Sequence, residues 1–379
     1  QPYEMALLNV SAMSFGALSA NAIKALNTGA REGGFAHDTG EGGLSRYHLE
    51  PGGDLVWEIG SGYFGCRTDD GHFDVEQFAD KAAEPAVKCV SIKLSQGAKP
   101  GIGGVMPAAK MTEEIAEARG VPAHEKCVSP PSHSAFSGPT GLLEFVAELR
   151  ERSGGKPAGF KLCVGSRREV LALCKAMLDT GIRPDFIIVD GSEGGTGAAP
   201  LEFEDHVGRP LTDGLTIVRD ALIGCNLKDD IKIGASGKVA SGSDIVKRLI
   251  HGADYTNAAR AMMMAVGCIQ AQRCQTNTCP VGVTTQDPKR MRALDVGDKS
   301  ERVRRFQHET VHSAIRLIAA MGLDSPDQLT GDHLHVRIDS QTVRSWTELH
   351  PPLGRGELLA DPPESWAHDW NTARSDAFH

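Results

Sequence analysis

Short apolar runs alternate with helical patterns along most of this chain. That alternation restricts the fold to a parallel sheet with helices packed outside it. Eight runs read as strands, near 6–13, 35–38, 89–95, 126–129, 159–164, 185–190, 231–235 and 254–258. Helices are predicted near 19–32, 111–118, 140–152, 167–180, 212–226 and 241–250, with a longer one near 301–321. Ser19 caps the first, and Thr112 opens the second with Glu113 and Glu114 in its first turn. Eight such units predict an α/β fold of the (β/α)8 TIM-barrel type. The expected division is a barrel over 1–325 and a C-terminal extension over 326–379 packed on it. The extension is weakly periodic and carries Pro351, Pro352, Pro362 and Pro363.

Cys268, Cys274 and Cys279 lie in one run, GCIQAQRCQTNTCPVGVTTQ (267–286), after the eighth strand. Three thiolates on a polar, Gly- and Pro-punctuated loop suit an iron–sulfur cluster, because soft ligands select such clusters or zinc. Zinc wants a fourth ligand, and no histidine lies inside the run. Three ligands point to a three-iron cluster or to a four-iron cluster with one open iron. Cys66, Cys89, Cys127, Cys163, Cys174 and Cys225 are scattered singly in apolar surroundings and read as core residues rather than a disulfide framework. The net charge is −9, with lysine and arginine interspersed among acids, so no nucleic-acid partner is expected. No run of 18 apolar residues predicts a membrane span, no signal peptide opens the chain, and a cytoplasmic location is expected.

Barrel chemistry sits at the C-terminal ends of strands, with phosphate held by the loops after strands seven and eight. There the chain reads GASGKVASGSD (234–244) and NAARAMM (257–263). Gly237 and Lys238 can present N–H groups and a cation, and Ala258, Ala259 and Arg260 can open a helix facing the same phosphate. DGSEGGTGAAP (190–200) leaves room for a flat ligand against the backbone. In KLSQGAKPGIGG (93–104), Lys93, Gln96 and Lys99 recur every three residues and place two cations on the rim, which suits an anionic substrate or a reduced flavin. Arg119 can pair with a carboxylate bidentately. Glu41, between glycines, can handle protons.

Together these stretches resemble the FMN-binding synthase domain of the glutamate synthase family, in its stand-alone branch. The resemblance rests on MSFGALS (13–19), TGEGG (39–43), KLSQGAKPGIGG (93–104), SPPSH (129–133), DGSEGGTGAAPL (190–201) and the cysteine run, in the family's order. It implies FMN and a [3Fe–4S] cluster on Cys268, Cys274 and Cys279. Motif position implies cofactor contacts from Ser14, Gly16, Ala17, Lys93, Gln96, Lys161, Asp190, Gly194, Gly195, Thr196, Gly197, Ser236, Gly237, Lys238, Ala258, Ala259 and Arg260. It implies catalytic roles for Glu41, Lys93 and Lys99, and substrate binding by Gln96, Lys99 and Arg119. The implied reaction is reductive amination of 2-oxoglutarate, via 2-iminoglutarate, to L-glutamate.

The chain departs from the family at KLCVGSRREV (161–170), where Arg167 and Arg168 stand at a place expected to face substrate. No G-x-G-x-x-G nicotinamide fingerprint follows a strand. Electrons are therefore expected from a ferredoxin-like protein or a flavoprotein reductase subunit. Residues 1–379 include no glutaminase domain of the family's large enzymes, so an amidotransferase subunit is an expected candidate partner. Three alternatives stay open: an N-methylglutamate synthase-type subunit, a non-catalytic electron relay, and a flavin oxidoreductase with another substrate.

Overall fold

The computed structural model describes residues 1–194 and 199–378. Eight parallel strands close a barrel in chain order. They are β1 (Leu8–Val10), β2 (His37–Asp38), β3 (Leu55–Ile59), β4 (Val87–Lys93), β5 (Ala158–Leu162), β6 (Phe186–Asp190), β7 (Lys232–Ser236) and β8 (Tyr255–Ala258). Val10 beside His37 and Leu8 beside Thr256 close the ring on both sides of β1. Around it lie α1 (Ala20–Gly33), α2 (Val75–Ala82), α3 (Glu113–Arg119), α4 (Gly138–Arg152), α5 (Arg167–Thr180), α6 (Leu211–Gly224), α7 (Gly242–Ile250) and α8 (Val296–Ala320). No described helix is long and apolar enough to cross a membrane.

Helix α1 shows how these outer helices are held. Ser19 caps it by accepting from the Ala22 N–H, and Gly34 ends it in the left-handed region. Its face of Ala22, Ile23, Ala25 and Leu26 has no solvent exposure. Burying Ile23 and Leu26 stabilises the packing by roughly 1.5–3 kcal/mol each. At Gly29 a Cβ would stand 2.7 Å from the Ser300 carbonyl, so only glycine lets α1 and α8 come this close.

One predicted barrel strand is corrected. Cys127–Val128, within the expected 126–129 strand, pairs antiparallel with Val105–Met106 in a two-stranded ribbon outside the barrel. The missing barrel strand is β3, LVWEI, whose Glu58 interrupts an otherwise apolar run. That carboxylate is tolerated inside because Lys161 of β5 meets it across the barrel. Lys93 consequently ends the fourth strand, not the third.

The altered 161–170 segment is a second correction. Arg167 does not face a substrate site. Its Nε donates to Asp369 at 2.6 Å, its Nη2 to the Ser365 carbonyl at 2.6 Å, and its guanidinium lies 4.5 Å over the Trp366 ring. Lys175, two turns further along α5, lies 4.8 Å over Trp370. These cations seat the helix Glu364–Thr372 on α5. Further along the same segment, Leu358 is buried with its side chain against Gly224 of α6.

Candidate active site

The C-terminal strand ends converge in two layers. In the lower layer, Lys161 of β5 meets the Glu58 carboxylate of β3, with both side chains almost completely buried. Asp38, at the end of β2, is also buried. Burial and the Glu58 charge push its carboxyl up to about 8, against the opposing pull of Lys161, the Gly40 N–H and Lys93. Burial likewise raises Asp190 at the end of β6, opposed by Lys161 and by the Gly97 N–H, which donates to it at 2.9 Å. Burial alone would lower Lys161, but Glu58, Asp38 and Asp190 together outweigh it and raise its affinity for a proton. Ser236 follows on β7, its hydroxyl 3.1 Å from that of Ser11.

The upper layer is built from loops. Lys93 Nζ lies 3.0 Å from Glu41 Oε1. Burial would raise Glu41, yet the charge and hydrogen bond of Lys93, followed by Arg119 and Lys99, bring it down to about 2. Glu41 is therefore an anion at neutral pH, able to hold a cation. Its carboxylate is pinned by close backbone: a Cβ at Gly60 would stand 2.6 Å from Oε2, and one at Gly104 2.2 Å from Oε1. Ser129 also donates to Oε2, at 3.3 Å. Lys99 is 3% exposed and donates to the Gly103 carbonyl at 3.0 Å. Burial first, then Lys93, pushes its ammonium below the usual lysine range, against Glu41. Arg119, last residue of α3, is buried with its guanidinium 4.8 Å over Phe64 and an Nη2 3.5 Å from the Ser14 hydroxyl. Its Nε has no hydrogen-bond partner among the described residues, which leaves a donor for a carboxylate. Gln96 is half-buried on the same loop as Lys93 and Lys99.

Several members of this layer carried no assigned role in the sequence reading. His133 donates from Nε2 to the Lys93 carbonyl at 2.9 Å, and the Tyr63 hydroxyl accepts from the N–H groups of Ser134 and Ala135. These bonds fold the SPPSH loop over Lys93. The motif was visible in sequence, but its contact with β4 depends on the long excursion between β4 and α4.

On the far side, Gly237 follows β7 at φ +144°, a conformation that glycine adopts readily. Among the described residues, the N–H groups of Lys238, Ala259 and Arg260 make no loop or cap hydrogen bond to a backbone carbonyl. These N–H groups after β7 and β8 fit a phosphate. The Lys238 ammonium does not join them: its left-handed backbone (φ +48°) sends the side chain outward, 3.8 Å from Asp205. Ala258 is buried at the end of β8, and Arg260 is exposed at the start of a short helix that buries Met262. Gly194 lies against Asp190 and Gly97; Gly195, Thr196 and Gly197 lie outside the described residues.

The cysteine run folds beside the loop after β1. Gln286 donates to the carbonyls of Gly16 and Leu18 at 3.1 and 3.0 Å, and Asn277 to that of Ala109 at 3.0 Å. Ser14 and Gly16 to Leu18 thus stand between the barrel mouth and the cysteine run. Among the described residues, no group of three His, Cys, Asp or Glu side chains is placed to hold a single metal ion. The donors nonetheless fit a group bound by separate thiolates. The Gln270 N–H points at Cys268 Sγ at 3.4 Å. Burial would raise Cys279, but N–H groups of Thr284, Val281 and Val283 and the Thr284 hydroxyl turn its thiol below the usual range. Burial raises Cys268. None of the nine cysteines is in a disulfide.

Comparison with known proteins places this geometry. Residues 5–324 match the family model described as the conserved region in glutamate synthase. The chain is 42% identical over 342 residues to the glutamate synthase large subunit-like protein YerD of Bacillus subtilis (strain 168), covering 90% of this chain and 65% of that protein. It is 32% identical over 329 residues to the archaeal glutamate synthase [NADPH] of Methanocaldococcus jannaschii, covering 86% and 61%. The chain therefore spans less than two thirds of those relatives. Mandelate oxidase with benzoyl-formic acid shares the fold at a TM-score of 0.50 and 14% identity, over 84% of this chain and 75% of that one. With the family model matched over nearly the whole barrel and a relative above 40% identity, this chain belongs to the glutamate synthase family.

Proposed function

We propose that this chain is an FMN and iron–sulfur oxidoreductase that converts 2-oxoglutarate and ammonia to L-glutamate through 2-iminoglutarate. The observation that carries the reading is the buried quartet of Glu41, Lys93, Lys99 and Arg119, in which three cations surround one pinned carboxylate. A dicarboxylate substrate needs more positive charge than Glu41 alone neutralises. Lys99 and Arg119 hold its two carboxylates, Arg119 through the donor left without a partner. Gln96 lines the same space. Glu41 holds ammonium as a fixed anion, and Lys93 keeps Glu41 ionised and in place. Release of water from the carbinolamine requires a proton, for which the Lys99 ammonium, already lowered by burial, is the nearest acid on the rim.

Bound FMN would supply hydride, and a [3Fe–4S] cluster on Cys268, Cys274 and Cys279 would supply its electrons one at a time. Ser14, Gly16, Ala17, Lys161, Asp190, Ser236, Gly237, Ala258, Ala259 and Arg260 would line the flavin, with Lys93 compensating negative charge on the reduced ring. Residues 1–325 form the catalytic barrel in this reading, and 326–379 its extension. The electron donor is a ferredoxin-like protein or a flavoprotein reductase subunit. The relatives named as NADPH enzymes support the overall chemistry.

The test is anaerobic. The purified protein is photoreduced, and the flavin absorbance is followed after adding 2-oxoglutarate, ammonium or both. Reoxidation only with both present, yielding glutamate, is the expected result. No reoxidation with flavin and cluster intact would sink the 2-oxoglutarate assignment.

A further inference from the structure

Lys110 was not singled out by any motif, yet it is the buried lysine closest to the cysteine run. It closes a short turn, Ala108–Lys110, ahead of α3, and is 2% exposed. Its Nζ donates to the Ala17 carbonyl at 2.8 Å and to the Cys274 carbonyl at 3.1 Å, and to no carboxylate among the described residues. An ammonium held away from water without an anion is strongly disfavoured. Two other cations near the mouth are directly ion-paired, Lys93 with Glu41 and Lys161 with Glu58, while Lys99 and Arg119 lie around the Glu41 carboxylate. The groups around Lys110 able to carry negative charge are the thiols of Cys274 and Cys279. Arg119, the nearest further cation, adds to the imbalance instead of relieving it.

We propose that Lys110 is the fixed counter-charge of the group held by Cys268, Cys274 and Cys279. In this role it raises the reduction potential of that group while tying the cysteine run to the loop after β1. Reduction adds one electron, and a cation this close stabilises the reduced form more than the oxidised one. Lys110 is thus a positioning and charge-setting residue that touches neither substrate nor the reacting carbon. The inference rests on the cluster reading above.

The experiment measures iron and sulfide content and an EPR-monitored redox titration of the wild-type protein, Lys110→Met and Lys110→Arg. Methionine keeps the slim buried chain and loses the charge; arginine keeps the charge and loses the fit. The expected result is a Lys110→Met cluster whose reduced-to-oxidised ratio at a fixed potential falls at least tenfold, a downward shift of about 59 mV for one electron. Lys110→Arg should stay within threefold of wild type. Cluster loss in Lys110→Met with retention in Lys110→Arg would also support the charge role. An unmoved midpoint in Lys110→Met, or damage in Lys110→Arg equal to or greater than in Lys110→Met, would overturn it. Wild-type protein without iron and sulfide would overturn the cluster reading and Lys110's role with it; an intact wild-type cluster with an unmoved variant overturns Lys110's role alone.

Discussion

Asp38 and Glu41 are three residues apart and both lie in the barrel mouth, yet their carboxyls are driven in opposite directions. Asp38, in the lower layer, is pushed up to about 8; Glu41, in the upper layer, is brought down to about 2. Burial acts the same way on both. The difference is stoichiometric: Lys161 is shared among Asp38, Glu58 and Asp190, whereas Glu41 has Lys93, Arg119 and Lys99 around it. The lower layer is acid-rich and keeps a proton. The upper layer is cation-rich and waits for an anion. A neutral-pH enzyme can thus store a proton beneath a ligand and hold a permanent negative charge above it, using the same residue chemistry.

The most severe way to break this contrast is Lys161→Met. It leaves Glu58 buried and unpaired, and a stability loss of about 3–5 kcal/mol is expected in urea unfolding. Next, Lys99→Ala and Arg119→Gln should each weaken 2-oxoglutarate binding by roughly 10- to 100-fold while the thermal unfolding midpoint moves little. A binding titration on the oxidised protein reads this; unchanged affinity in both would remove their substrate role.

The pH dependence sharpens the comparison. Asp38 binds its proton more tightly folded than unfolded, so its stabilisation is complete below about pH 4 and is lost as pH rises towards about 8. Glu41 behaves inversely: its contribution is present above about pH 4.3 and disappears as pH falls through about 2. Melting curves between pH 5 and 8.5 should therefore decline with pH in the wild type and flatten in Asp38→Asn. An equal slope in both would show that Asp38 is not the proton holder. The smallest effect is expected from Arg167→Ala, about 1 kcal/mol in stability and faster proteolysis after residue 325, with 2-oxoglutarate affinity unchanged.

Most of the scaffold was legible because its signals are local. Helix α5 spans the 167–180 that periodicity predicts, and a Ser166–Glu169 capping box closes its N-terminus. Strand β3 was hidden because Glu58 breaks its apolar run, and the Cys127–Val128 ribbon passed for a barrel strand because two extended segments look alike in sequence whether they pair parallel or antiparallel. Arg167 looked like a substrate residue because it follows a strand; its partners, Asp369 and Trp366, are about 200 residues away in the chain.

By itself the sequence determined the alternating strands and helices, the order of the loops at the barrel mouth, and the residue types those loops bring: the lysines of KLSQGAK, the glycine-flanked Glu41 and the three cysteines. These follow from periodicity, turn chemistry and spacing, which act between near neighbours. Only the tertiary structure decided which charges face which. Glu58 with Lys161, Glu41 with Lys93, His133 over the end of β4, and Lys110 between Ala17 and Cys274 are contacts across the closed barrel and its excursions. The energy of a buried charge depends on the nearest opposite charge in space, and in a barrel that neighbour comes from another strand.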